Sequence, residues 1–303
     1  MKKRMVLFNV AKIIFLCFVF LNVAFASTVP QKIKAVATIS IVGDVVKNVA
    51  QDSVDLTVLV GANGDAHEFE PTPADAVNLS KANIIFENGL FLEHWLNKLY
   101  ESSNSKAQRV IVAEGVISRT MQENAQEIDP HAWQEVGNVI TYTRNVRDAL
   151  IKIDPANKQK YQTNAARYIQ ELEELDAWVK EQVKTIPEAR RKLVTNHDAL
   201  GYFAQAYGFE MIGAAIPSAT TEASDPSAKQ IVELLNIIKK NAVHAIFSEN
   251  MANAKLVQSL AQEAGVVIAP ELYTDALGAA GSEGETYIKM IRHNVRVFVE
   301  YSQ

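Results

Sequence analysis

Cysteine is nearly absent. The chain has 303 residues and one cysteine, Cys17, which falls in an N-terminal stretch expected to be cleaved off. The remainder then has no disulfide and no thiolate metal ligand, and its stability rests on core packing and on whatever it binds. Two signatures are also missing. No G-x-x-x-x-G-K-[ST] phosphate loop occurs, so any ATP that drives this protein's work is bound by another chain, and no H-E-x-x-H zinc-hydrolase motif occurs. Beyond residue 26 no apolar run is long enough to span a bilayer. Positive charge is in short supply. The formal charge is −5, and losing Lys2, Lys3, Arg4 and Lys12 with the leader brings residues 27–303 to −9. That argues against nucleic acid as a partner and gives a mild attraction for cations.

What is present begins with the leader. "MKKRM" is basic, "IIFLCFVFL" (Ile13 to Leu21) is apolar, and "AFA" ends at Ala26 just before Ser27. A positive start, a short apolar run and an A-x-A-like site make a secretory signal peptide over residues 1–26, and place the mature chain in the periplasm. Lipid anchoring through Cys17 is disfavoured, because Phe15 and Leu16 precede it where small residues are the norm.

The mature chain alternates strand and helix signals. "KIKAVATISIVGDVVKNVA" reads as strand then helix, "VDLTVLVG" as a strand, and "PTPADAVNLSKA" as a helix with Pro73 near its start. "NIIFENG" reads as a strand, "LFLEHWLNKLYES" as a helix and "RVIVAEG" as a strand. From Pro155 to Ile186 there is no strand signal and no glycine, and Tyr161, Ala165, Tyr168, Leu172, Leu175, Val179 and Val183 recur at helical spacing. Alternation then resumes from "KLVTNHD" through "ALGYFAQAYG", which Gly208 should end, to a final helix in "GETYIKMIRHNVRVFVEYS". The expected fold is α/β, with two lobes, each a parallel sheet flanked by helices, joined by one long backbone helix. The expected division is 27–154 for the N-terminal lobe, 155–186 for the linking helix and 187–303 for the C-terminal lobe.

Ligands of open parallel sheets bind beyond the carboxyl ends of strands. Four polar residues fall there: His67 after "TVLVG", His131 in "EIDPHAWQ", His197 at the end of "LVTNH" and Asp275 after "VIAPELYT". Two come from each lobe, so a site made of all four lies in the cleft between them. Three imidazoles and a carboxylate suit a divalent first-row metal, Zn²⁺ in particular, and not Mg²⁺ or Ca²⁺. An isolated histidine is more often a structural loop residue than a ligand, and that reading takes His94, His244 and His293. Asp65, Asn88, Asp129, Asp198 and Glu249 lie in the same strand-end segments and have the chemistry to orient a ligating imidazole. Each serves equally as a turn or cap residue, Asp198 as a cap for a helix starting at Ala199. Trp95, Trp133 and Trp178 read as packing residues, and Glu173 and Glu174 as a solvated helix face.

"GDAHEFEPTPADA", "NGLFLEHWL", "DPHAWQEVGN", "VTNHDALGYFAQAYG" and "ELYTDALGAAGSEGETYIKMIRHNV" together resemble the metal-binding (zinc/manganese/iron) periplasmic solute-binding proteins of bacterial ABC importers, the TroA-like family, from about residue 32 to the C-terminus. The resemblance carries the family's metal ligands onto His67, His131, His197 and Asp275. It implies a monomeric, non-enzymatic carrier that takes one Zn or Mn ion per chain as its transported ligand and hands it to a permease and its ATPase in the inner membrane. It also implies lobe motions restricted by the long helix.

Features that distinguish the metals within that family point both ways. Histidine at position 197 resembles zinc-type members, whereas manganese-type members often have glutamate there. The segment "ISRTMQENAQEIDPH" has no histidine before His131, unlike the His-rich loop of many zinc-type members, and "DPHAWQEVGN" resembles manganese/iron members. Two alternatives stand beside the zinc or manganese carrier. One is a manganese/iron receptor. The other is a metal-dependent hydrolase with Glu68 as the base, against which Asp275, as fourth ligand, takes the position a reactive water would need. A binding protein for an organic solute would need aromatic or arginine side chains converging on the cleft, and the strand-end segments have few.

Overall fold

A computed structural model describes residues 32–121, 126–216, 227–250 and 254–302. The expected signal peptide, with Cys17, lies outside them. Lys32–Gln303 forms one compact unit. Its first half runs β1 (Ile33–Ile39), α1 (Ser40–Ala50), β2 (Val54–Val60), α2 (Pro73–Lys81), β3 (Ile84–Glu87), α3 (Leu96–Ser102) and β4 (Gln108–Ile111). Two helices follow, α4 (Val136–Ile153) and α5 (Lys158–Lys184). The second half runs β5 (Lys192–His197), α6 (Gly201–Tyr207), β6 (Glu210–Ile216), α7 (Ala228–Lys240), β7 (Ala245–Glu249), α8 (Ala254–Ala264), β8 (Val267–Leu272) and α9 (Tyr287–Tyr301).

Each half holds a four-stranded sheet, in the orders β2-β1-β3-β4 and β6-β5-β7-β8, and every pairing is parallel. Parallel strands need crossover helices that cover both faces, so the central strands are mostly buried. All four residues of β3, "IIFE", are buried. Pro270 is tolerated in β8 because that strand is an edge. In both sheets the order reverses between the two inner strands, and the crevice at the carboxyl ends there is where such sheets bind ligands.

Local chemistry sets the helix ends. Thr72 caps α2 in a reciprocal box with Asp75, and Pro73 takes the first helical position. Gly208 ends α6 at φ +75, as expected from the sequence. All seven apolar positions expected on the long helix are buried. That helix starts at Lys158, after a single 3-10 turn over Pro155–Asn157, and Pro155 keeps α4 from running on into it.

Two elements differ from the sequence reading. The strand–helix reading leaves out α4, although Val136, Val139, Thr143, Val146 and Leu150 are buried at helical spacing. The helix expected from residue 90 begins only at Leu96. Gly89, Leu90 and Phe91 all have positive φ, of 83, 54 and 67, which no right-handed helix accommodates. The buried Glu93 carboxylate holds that turn by accepting from Asn88 N at 2.7 Å and Gly89 N at 3.0 Å.

The lobes share a core. One apolar cluster contains Val36 and Phe86 of the first sheet, Phe247 of the second, Val146 of α4, Leu172 of α5 and Phe298 of α9. A smaller cluster lies under α7 and α8. The covalent link is α5, and α9 packs on both α5 and α1. Buried polar bonds add to it: Asp44 of α1 accepts from Tyr287 N of α9 at 3.1 Å and from Tyr168 Oη of α5 at 3.3 Å, and Tyr287 Oη donates to Trp133 O at 2.7 Å.

Candidate metal centre

Four loops converge at the carboxyl ends of the sheets. After β2 the chain turns through Gly64, whose N–H bonds Gly61 O at 3.1 Å, and Asn63 N donates to Leu277 O across the cleft at 2.8 Å. Asp65 Oδ1 accepts from His67 N at 2.8 Å and Glu68 N at 3.3 Å, a side-chain turn that fixes the backbone where His67 leaves it. Trp95 Nε1 holds Ala66 O at 3.0 Å. With the capped start of α2 downstream, the segment is rigid and aims one imidazole into the interior.

His131 follows β4. Asp129 Oδ1 accepts from both its backbone N at 2.9 Å and its Nδ1 at 2.8 Å. Asn88 holds the same loop, donating to Pro130 O at 3.0 Å while accepting from Tyr142 Oη at 2.6 Å. His197 is the last residue of β5. Its backbone N donates to Glu249 Oε1 at 3.0 Å, and its Nδ1 lies 2.7 Å from Glu249 Oε2. Thr274 Oγ1 donates to that same oxygen at 2.8 Å. Trp133 Nε1 and Gln134 Nε2 both donate to Thr274 O at 2.8 Å, placing Asp275 opposite the histidines.

His67, His131, His197 and Asp275 are all buried, at 2% exposure or less, and their ligand-capable atoms lie within 4.8 Å of one another. His67 Nε2 is 3.3 Å from His131 Nε2 and 3.1 Å from Asp275 Oδ2. Asp275 Oδ2 is 3.0 Å from His197 Nε2 and 3.6 Å from His131 Nε2. A tetrahedral ion with bonds of about 2.0–2.1 Å needs donors about 3.3 Å apart, which these separations bracket. Proximity here is not hydrogen bonding throughout: His197 Nε2 and Asp275 Oδ1 are buried with no hydrogen-bond partner. With Nδ1 of His131 and His197 committed to carboxylates, their Nε2 atoms face a common centre, where they ligate a cation once it displaces their protons.

The titration of the cluster follows from its geometry. Burial pushes the His131 imidazole down, but Asp275 and Asp129 beside it outweigh that and raise it to about 9. Burial acts likewise on His197, and Glu249 and Asp275 raise it well above its ordinary value. Burial would lift Asp275, yet His197 and His131 hold it well below the usual carboxylate range. A carboxylate ringed by imidazoles thus keeps protons on the ring nitrogens until a stronger cation displaces them.

Other residues singled out in the sequence divide clearly. Asp129 and Glu249 orient imidazoles, whereas Asn88 and Asp65 brace loops. Asp198 does not cap a helix: α6 begins at Gly201 with Leu200 as its uncapped N-cap, and Asp198 Oδ1 is buried without a partner. Trp133 is fully buried, Trp95 is 6% exposed, and Arg292 stacks on Trp178 at 4.6 Å. His293 bonds Glu271 O at 2.8 Å, and His94 lines a cavity of about 400 Å³ that also touches His67. Glu68 is exposed and outside the group of four. Sequence reasoning missed Arg119, Gln134 and Thr274, whose roles depend on partners far along the chain.

The profile of the family described as "ZnuA: Zinc-uptake complex component A periplasmic" matches residues 35–301. The chain is 38% identical over 269 residues to "Manganese-binding lipoprotein MntA" of Halalkalibacterium halodurans, covering 89% of this chain and 88% of that one. It is 34% identical over 284 residues to "Metal ABC transporter substrate-binding lipoprotein SsaB" of Streptococcus sanguinis, with 89% of each covered. Among solved structures, the periplasmic zinc-binding protein TroA of Treponema pallidum superposes with a TM-score of 0.83 at 33% identity, covering 89% of this chain and 99% of that one. The Mn-bound periplasmic metal-binding protein of Candidatus Liberibacter asiaticus gives 0.81 at 28% identity, covering 90% and 100%. A match of this extent, on two parallel sheets whose loops meet at three histidines and an aspartate, makes the chain a member of the ZnuA/TroA family of extracytoplasmic metal-binding proteins of ABC importers, and not an enzyme.

Proposed function

We propose that this protein captures a single Zn²⁺ or Mn²⁺ ion between its lobes and delivers it to an ABC permease. The ion is cargo, held by His67, His131, His197 and Asp275. The observation that carries the reading is the convergence of three Nε2 atoms and one carboxylate oxygen, 3.0–3.6 Å apart where paired and screened from solvent. Four protein donors fill a tetrahedral shell and leave no position for a reactive water, which suits carriage rather than hydrolysis. We further assign residues 1–26 as a signal peptide, residues 27–154 and 187–303 as the lobes and 155–186 as the link, and place the mature protein in the periplasm as a monomer. Lipid anchoring, part of the names of several relatives, fits this chain poorly because Cys17 lies within the apolar run.

Three imidazoles and the tetrahedral spacing favour Zn²⁺, as does the intrinsic affinity order of divalent ions. The manganese reading is supported by the name of a 38% identical relative. The unpartnered Asp275 Oδ1 also gives a second oxygen with which the shell expands for a harder ion.

The test is native mass spectrometry of metal-stripped protein offered Zn²⁺ and Mn²⁺ together at matched free concentrations. One ion per chain is expected, and the His197→Ala and Asp275→Ala variants should retain less. Unaltered retention in both variants would remove these residues from the site. Affinity should fall as pH drops, because protons compete for the same nitrogens.

A further inference from the structure

Arg119 lies in the first-lobe segment that precedes His131. Thr120 and Ile128 form an antiparallel bridge, and Asp129 N bonds Arg119 O at 3.0 Å, so Arg119 and Asp129 face each other across it. The two oxygens of Asp129 have separate duties. Oδ1 accepts both N–H groups of His131, and Oδ2 takes Nη1 of Arg119. The carboxylate is therefore clamped from behind while it orients the imidazole in front.

The other side of Arg119 belongs to the second lobe. Its backbone N donates to Tyr202 Oη at 3.1 Å, and its guanidinium lies 5.7 Å from the Tyr202 ring centroid. Its neighbour there is Gly201, the first residue of α6. A Cβ at Gly201 would lie 1.4 Å from Arg119 Nη1 and 2.3 Å from its Cζ. Gly201 does not have a positive φ, so its backbone conformation does not demand glycine. Alanine is also the better helix former. What glycine supplies at 201 is room.

We propose that Arg119 is a positioning residue for the metal centre, a strut that ties the Asp129–His131 pair of one lobe to the start of α6 in the other, and that Gly201 is there to admit it. The proposal rests on the metal-carrier reading above and deepens it. The Arg119 guanidinium makes a charge-assisted hydrogen bond to Asp129 Oδ2, and outer partners of a metal centre set metal retention by about 10–100-fold. The strut also means that separating α6 from Arg119 withdraws the support of His131, so lobe movement and ligand orientation are linked through one side chain.

A double-mutant cycle tests this. Dissociation of Zn²⁺ into excess chelator is timed for wild type, Arg119→Ala, Arg119→Lys, Gly201→Ala and the Arg119→Ala/Gly201→Ala pair. Arg119→Ala and Gly201→Ala should each speed release by about 10–100-fold, Arg119→Lys should recover part of the loss, and Gly201→Ala should add nothing in the Arg119→Ala background. Release within twofold of wild type for Arg119→Ala, or equal damage from Gly201→Ala in both backgrounds, overturns the proposal.

A readout without metal separates this proposal from the carrier reading. In metal-free protein the His131 Nδ1–H resonance should be protected from exchange in wild type and lose protection in Arg119→Ala and Gly201→Ala. If wild type retains no metal, the carrier reading fails and this resonance alone decides whether the strut exists. Unchanged protection in both variants denies it.

Discussion

At the residue scale, two carboxylates outside the group of four, Asp129 and Glu249, hold its histidines. Asp129 and Glu249 each fix a ring and its tautomer, and both stand in strand-end segments where the sequence shows them as polar residues near a histidine. What singles them out is contact across the fold, Glu249 of β7 reaching His197 of β5, which no spacing along the chain reveals. Arg119 and Gly201, 82 positions apart in the sequence, illustrate the same limit. Glu93 is a residue-scale device of another kind. Its carboxylate accepts from Thr38 Oγ1 at 2.6 Å and from Asn88 N and Gly89 N, and it pins a turn with two non-glycine residues at positive φ, each strained by about 1–3 kcal/mol. Glu93→Gln turns an amide toward these donors and should cost about 1–3 kcal/mol in denaturant unfolding. Burial raises Glu93 from 4.5 to about 7. A folded-state value above the unfolded one gives stability that is complete below about pH 4.5 and lost as pH rises through about 7. The advantage of wild type over the variant should therefore narrow across that window, and an advantage that widens would contradict the assignment.

At the element scale, periodicity was a good guide where one face is buried and a poor one where turns intrude. The long helix α5 was legible because seven apolar residues repeat without interruption, and α2 because Thr72, Pro73 and Asp75 mark its start. The first turn of the helix expected at residue 90 was not legible, since Leu90 and Phe91 fit the apolar pattern but are held in left-handed conformations by Glu93. The strand ends were legible enough that the four residues singled out there converge in the structure. Leu172 is fully buried at the middle of α5, in the core that both lobes share. Leu172→Ala should cost about 2–5 kcal/mol and lower the melting temperature of the whole chain in one transition. Two separated transitions would show that the lobes unfold independently.

At the scale of the whole molecule, the lobes are less separate than their sheets suggest. Trp133 and Gln134 of the first reach Thr274 of the second, Leu277 N donates to Ser40 Oγ at 2.9 Å, and α9 lies against α1 and α5. Such an interface resists wide opening. Solution scattering curves of metal-free and metal-loaded protein should nearly superimpose, and a large change in radius of gyration would contradict this. The packing of α9 has another consequence. Tyr287 closes on Asp44, 243 positions earlier, so the first helix of the fold and the last are needed together, and loop closure over that length is slow. A chain destined for the far side of a membrane must stay threadable until it has crossed. Here, while either end is still in transit, one half of that contact is missing, so this part of the fold closes only when both ends are on the same side.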